Sequence, residues 1–230
     1  RLLLRALGPK RCVAYVPVDI AGDHLEQTAA QLRDENPWLR VVPIAADFSE
    51  GLPLPEADAR AARTVVYFPG STIGNFDPDE ARRLLARFRE AIGPKGHVLL
   101  GVDLKKDPAK LHAAYNDSEG VTAAFNKNVL RRMNVELGAD FDLDAFHHYA
   151  FYAPVPGRIE MHLVSARRQV VHLGGHAFTF EDGESICTEH SHKYDLATAE
   201  RLGRSAGLSL ADSWLDDGRR FAILLFHAAA

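Results

Sequence analysis

Cysteine is scarce: Cys12 and Cys187 are the two in 230 residues. Each stands alone in an apolar or strand-like context, so neither a disulfide framework nor a cysteine zinc site is indicated, and both read as buried thiols. An excess of positive charge is lacking too. Lys and Arg number 27 against 31 Asp and Glu, for a net charge of −4, and the basic residues are scattered. That excludes the basic stripe a nucleic-acid partner needs. No apolar run approaches the roughly 20 residues of a membrane span, and no charged-then-apolar leader precedes a small-residue cleavage site. The expected compartment is therefore the cytoplasm, away from any membrane. Internal repeats and low-complexity linkers are missing, apart from the terminal Ala228, Ala229 and Ala230.

What is present is a hydrophobic content of 47%, enough for a real core in one large domain or one domain with an insertion. Eleven histidines include His147 and His148 and the alternating His190 and His192. Two histidines at strand spacing could ligate a metal, but no third ligand at helical or loop spacing accompanies them. Solvated or hydrogen-bonded histidines are expected, and no metal.

Residues 65–76, Val-Val-Tyr-Phe-Pro-Gly-Ser-Thr-Ile-Gly-Asn-Phe, organise the rest. A β-branched apolar run breaks at Pro69 and Gly70, and a helix follows from Asp77, so this is a strand-to-helix turn whose small residues let a ligand approach the backbone. Residues 1–7 read as the end of a helix stopped by Gly8 and Pro9. Residues 12–19 and 41–44 read as strands, each followed by a carboxylate, Asp19 and Asp47, with a helix over 22–34 between them. Residues 51–59 form a Pro-rich loop, 64–68 a strand, 77–92 a helix and 97–102 a strand ending at Asp103. The alternation predicts an α/β fold: a doubly wound, mostly parallel, Rossmann-like sheet covered on both faces. Helices over 107–116 and 121–137, then strands over 149–152, 158–165, 169–173 and 177–180, predict an inserted α+β subdomain. A helix over 196–206 and strands over 209–214 and 221–226 return to the sheet as a terminal antiparallel hairpin. Residues 1–105 with 196–230 form one domain on this reading, and 106–195 the insertion.

In such sheets ligands sit beyond the carboxyl ends of the strands, where Asp19, Asp47, the 70–75 turn and Asp103 all lie. Asp19 is placed to accept from two ribose hydroxyls and Asp47, beside Phe48, from an adenine amino group, although loop carboxylates after strands are also common. Together with the hairpin they favour an adenosylmethionine-dependent methyltransferase sheet over a dehydrogenase sheet.

The blocks FPGSTIGNF, GVDLKKDP, AYNDSEGVTAAFNKNVLRRMNVELGADFDLDAF, RIEMHLVS and GESICTEHSHKY resemble the histidine Nα-methyltransferase family, which makes hercynine in ergothioneine biosynthesis. The likeness runs in order from about residue 1 to residue 226. It implies S-adenosyl-L-methionine as cofactor, bound by Asp19, Asp47, Phe48, Gly70 and Ser71, and histidine as a small-molecule substrate for a monomeric enzyme. It also implies that Gly70 and Asn75 hold the substrate amine at the reacting centre and that Tyr115 reaches its carboxylate as a neutral donor. Glu189 and Ser191 would grip the imidazole, and Met161 would line the pocket. From the residues alone, Asn75 could be a turn former, Tyr115 a core-packed helix residue, Met161 a core residue, and the segment around Glu189 a solvated strand edge.

The implied reaction is three in-line methyl transfers to the α-nitrogen, dominated by positioning. The sequence offers no dedicated base, so the amine proton is expected to leave to water. The family's glycine-rich cofactor loop, its first strand and its upstream tyrosines have no counterpart in these residues. The chain is therefore expected to be N-terminally incomplete and, if expressed alone, to bind cofactor weakly with no useful turnover. Calorimetry showing micromolar adenosylmethionine affinity would count against that. Two other readings stay open, an N-methyltransferase for another amino acid such as a tryptophan derivative, and a non-catalytic methyltransferase-like protein.

Overall fold

The computed structural model describes residues 1–55 and 60–229, so the end of the loop expected over 51–59 and the last alanine lie outside the described residues. Helix α1 (Leu2–Arg11) is kinked where the sequence predicts a stop, with Gly8 at φ 61° ahead of Pro9. Each strand expected over 12–19 and 41–44 is split by a proline. The pieces are β1 (Ala14–Tyr15) and β2 (Val18–Asp19), then, after α2 (Gly22–Glu35), β3 (Arg40–Val41) and β4 (Ile44–Ala45). Pro17 and Pro43 have no N–H to give a ladder. Carbonyls still accept across both breaks, from Val42 N–H to Tyr15 (3.0 Å) and from Ile44 N–H to Pro17 (3.0 Å). The result is one interrupted parallel ladder, β1 on β3 and β2 on β4. It packs with α1 and α2 around Leu4, Ala29, Leu32, Leu39 and Val41.

A second block contains β5 (Val65–Phe68), α3 (Pro78–Ile92) and β6 (His97–Asp103). The inserted region follows, with α4 (Pro108–Tyr115), α5 (Val121–Leu137), β7 (Phe146–Ala153), β8 (Arg158–Ser165), β9 (Gln169–Leu173), β10 (His176–Phe180) and β11 (Ser185–His192). The chain then returns through α6 (Leu196–Ser205), β12 (Leu208–Leu215) and β13 (Phe221–Ala228). The terminal strands pair antiparallel as expected, and β13 also lies antiparallel against β6, giving the order β12-β13-β6-β5.

The expected sheet differs from this in two ways. Among the described residues the β1–β4 ladder is not hydrogen-bonded to β5, whose Val65 and Tyr67 are about half exposed. The four-stranded block is also buried on one face only. There Val98, Leu100, Val102, Ala222, Leu224 and Phe226 meet Leu84, Leu85 and Phe88 of α3 and Ala199 of α6. Leu99, Ile223 and Leu225 on the opposite face stay partly exposed, because α1 and α2 are held by the other ladder.

The insertion leaves and rejoins this block at one point. Leu104 and Tyr194 form a parallel bridge, and Lys105 N–H donates to the Tyr194 carbonyl at 2.8 Å. Its main sheet has the order β11-β8-β7, all antiparallel, with β9 and β10 as a separate hairpin. Between Cys187 and Glu189 the register of β11 against β8 shifts at a β-bulge. No helix among the described residues is long and apolar enough to cross a membrane.

Candidate active site

The turn after β5 is clamped from two sides. Ser71 takes a left-handed conformation (φ 57°), and its Oγ accepts from Asp103 N–H at 2.8 Å. Any Cβ on Gly101 would stand 1.9 Å from the Pro69 carbonyl oxygen, and one on Gly74 would stand 2.7 Å from that of His192. Only glycine fits at these contacts, so β6 and the end of β11 both press directly on the 69–75 backbone.

A cavity of about 350 Å³ opens beside this turn. Gly70, Ser71 and Asn75 border it on one side, and Tyr115, Glu189 and Ser191 on the other. Residues separated by more than a hundred positions are thus brought to one space, Tyr115 from the end of α4 and the last two from β11. Glu189 and Ser191 share a face of β11 because they follow the bulge at alternate positions, opposite Met161 and Ile159 of β8. Burial lifts the Glu189 carboxyl above its usual range, with nearby Lys193 acting in the opposite sense.

At the back of the cavity lies a cluster centred on Lys193, which the residue-by-residue reading did not single out. The Lys193 side chain is 1% exposed, and its Nζ lies 3.0 Å from Asp103 Oδ2, 2.8 Å from Tyr115 Oη and 2.8 Å from Ser191 Oγ. Three acceptors satisfy the three N–H donors of the ammonium, and the Asp103 carboxylate balances its charge. Lys106 Nζ holds the other Asp103 oxygen at 2.5 Å. The Tyr115 hydroxyl donates to Ser191 Oγ at 3.0 Å. Ser191 therefore accepts twice, from Lys193 and from Tyr115, and its own O–H is what it offers to the cavity. The Lys193 ammonium also sits 4.8 Å from the centre of the Tyr115 ring, so the neutral phenol has a cation beside it.

A family model described as "Histidine-specific methyltransferase, SAM-dependent" matches residues 1–228. The chain belongs to that family. It is 38% identical over 228 residues to a histidine N-alpha-methyltransferase of Mycobacterium tuberculosis, covering 98% of this chain and 70% of that one. It is 29% identical to ergothioneine biosynthesis protein 1 of Neurospora crassa over 231 residues, 93% of this chain and 24% of that one. Among solved structures, the CcbJ methyltransferase of Streptomyces caelestis superimposes with a TM-score of 0.53 at 18% identity, over 100% of this chain and 88% of that one. This supports the α/β methyltransferase fold.

The remaining expected residues of this histidine-specific methyltransferase family member lie outside the cavity. Asp19 and Asp47 end the parallel pair β2–β4 on the same side, and each caps its own turn: Asp19 Oδ1 accepts from Ala21 N–H (2.9 Å), and Asp47 Oδ1 from Ser49 N–H (2.7 Å). The Ser49 bonds hold the Asp47 carboxyl below its usual range. Phe48 joins that edge to the turn, meeting Phe68 at 5.5 Å and Phe76 at 6.4 Å between ring centroids. The bond from Ala21 uses one Asp19 oxygen, and a carboxylate of this kind is an acceptor that suits the ribose hydroxyls of adenosylmethionine. Met161 is 2% exposed and packs with Leu111, Ala150 and Ile159 beneath Tyr115, supporting the cavity from behind. Lys193 falls inside the block GESICTEHSHKY, yet a lone lysine directly after a strand reads as solvated. Its one signal was an alternation Glu-x-Ser-x-Lys, which places a cation on the face of the imidazole-gripping pair.

Proposed function

We infer that the protein trimethylates the α-amino group of L-histidine with S-adenosyl-L-methionine, giving hercynine in ergothioneine biosynthesis. The observation that carries this is the polar cluster of Glu189, Ser191, Tyr115 and Lys193, facing Gly70 and Asn75 across one cavity. Bound adenosylmethionine supplies a methyl group already activated by its sulfonium, which leaves the chain the task of positioning.

In this reading Gly70 offers its carbonyl and Asn75 its amide to the substrate amine. Deprotonation before each transfer is to water at the open side. Glu189 accepts from one imidazole N–H, while Ser191, its oxygen engaged by Lys193, donates to the other nitrogen. The site thereby binds a neutral imidazole in one tautomer. Indole has an N–H but no ring acceptor, and it would leave the Ser191 hydroxyl unpaired, which is how a hydrogen-bonding site rejects a near neighbour. Tyr115 can turn its proton from Ser191 to the substrate carboxylate without releasing Lys193 from Ser191. Met161 acts from beneath. Asp19, Asp47, Phe48, Gly70 and Ser71 form the cofactor side.

The same reading takes residues 1–105 with 196–230 as the cofactor-binding part and 106–195 as the substrate-binding insertion, which the Leu104–Tyr194 bridge supports. It treats the β1–β4 ladder and the β5 block as portions of one doubly wound sheet, supported by the Phe48–Phe68 contact. The protein acts as a monomer in the cytoplasm.

Incubation of the full-length protein with adenosylmethionine and each amino acid in turn, followed by product mass, tests the reaction. A gain of three methyl groups on histidine is expected, and preferential methylation of tryptophan overturns the substrate assignment. Calorimetry run in parallel separates binding from turnover: histidine should bind and tryptophan should not.

A further inference from the structure

The bulge in β11 has an effect on the far side of the sheet. Cys187 and His190 are three positions apart and would face opposite ways on a regular strand. The register shift at Thr188 puts Cys187 opposite His162 and His190 opposite Glu160, so both join the outer face of β8. Thr188 itself is tied down, its hydroxyl donating to Asn126 Oδ1 at 2.6 Å. One ligand atom each from Glu160, Cys187 and His190 lies within 4.8 Å of the others. His162 Nε2 lies 3.4 Å from Glu160 Oε2. A thiol, two imidazoles and a carboxylate are therefore gathered on one strand pair, behind the face that carries Glu189 and Ser191.

The surroundings suit a metal as well as the ligands do. His162 Nδ1 is 3.0 Å from Ser185 Oγ, and giving its proton there leaves Nε2 as a lone-pair donor. Arg158 occupies only Glu160 Oε1, from Nε at 2.9 Å and Nη2 at 2.8 Å, so Oε2 stays free to ligate. His190 has Nδ1 at 3.6 Å from Asp77 Oδ1, a carboxylate that can orient the ring. Cys187 is exposed, not buried as its apolar context suggested, which gives an ion a path from solvent.

We propose that Cys187, His190 and Glu160, with His162 at the Glu160 edge, form a site for a zinc-class divalent cation on the outer face of the β8–β11 pair. Sulfur and imidazole ligands with a single carboxylate select zinc over magnesium or calcium. Binding would release the Cys187 thiol proton to solvent, leaving a thiolate on the metal. The ligand set differs from the His190 and His192 pair that strand spacing suggests, because the third ligand comes from the neighbouring strand.

The test uses the purified protein with zinc chloride in a chelator competition, and with cobalt(II) as a spectroscopic substitute. One zinc per chain is expected, with a thiolate-to-cobalt charge-transfer band. Cys187→Ser should abolish the band, and both Cys187→Ser and His190→Gln should weaken zinc by more than about tenfold. Cys12→Ser should change neither. Absence of the band, or zinc affinity unaltered in both site variants, overturns the proposal. Circular dichroism of each variant identifies any loss that comes from misfolding, and the exposed, conservative Cys187→Ser change then decides.

Discussion

Lys193 governs what Ser191 can do. A buried ammonium that donates to a serine oxygen leaves the serine as a donor, and in the proposed pose the imidazole of the substrate then presents a lone pair. Histidine affinity should accordingly rise with pH through the imidazole pKa, about 6.5, and level off above it. Lys193→Met removes the donor to Ser191, so the rise should flatten. A merely structural lysine would lower affinity at all pH values alike, and calorimetric titrations at several pH values distinguish the two. Glu189→Ala should weaken histidine binding by about 1.5–3 kcal/mol through loss of a charge-assisted hydrogen bond. Unchanged affinity would remove Glu189 from the site. The shared face of Glu189 and Ser191 was legible in their alternation, though their pairing rested on the family resemblance. The polarity of the Ser191 hydroxyl was not legible, since it depends on Asp103 and Tyr115 arriving from distant strands and helices.

Helix ends and strand breaks show why some elements could be read and others could not. The helix from Pro78 was clear because Asp77, Pro78 and Glu80 form a start signal, and Asp77 N–H does donate to Glu80 Oε2 at 3.1 Å. Helix α6 is capped by Asp195, whose carboxylate accepts from the Thr198 N–H (2.7 Å) and hydroxyl (2.8 Å). These bonds, with Lys105 nearby, bring its pKa down to about 2. The folded value lies below the unfolded one of about 3.9, so its stabilisation is complete above that pH and fades as pH falls toward 2. Asp195→Ala should cost about 1 kcal/mol at neutral pH, and urea denaturation should show the difference from the unaltered protein shrinking in acid. A constant difference would mean that the cap is not the cause. The bulge at Thr188, by contrast, leaves no mark in the sequence: Cys187, Glu189 and Ser191 alternate there as if they shared one face.

At the scale of the molecule, the α/β class, the hairpin return and the inserted strands followed from periodicity. The splitting of the β1–β4 ladder into two-residue pieces did not, because Pro17 and Pro43 interrupt both paired strands together. Two-residue strand pieces and a small core should let that ladder open more readily than the β6–β13 centre. In native-state hydrogen exchange, the amides of Val42 and Ile44 should exchange well before those of Leu100 and Leu224. Equal protection would show that the two portions unfold as one. The bridge between Leu104 and Tyr194 bears on how such a protein can change. Because the excursion from 106 to 195 begins and ends at a single neck, its length and contents can vary without altering the spacing of the strands on either side. On the proposed reading the imidazole grip is carried within that excursion and the turn bearing Gly70 lies outside it, so a relative could exchange the amino acid it recognises by replacing a cassette while keeping the methyl-transfer frame.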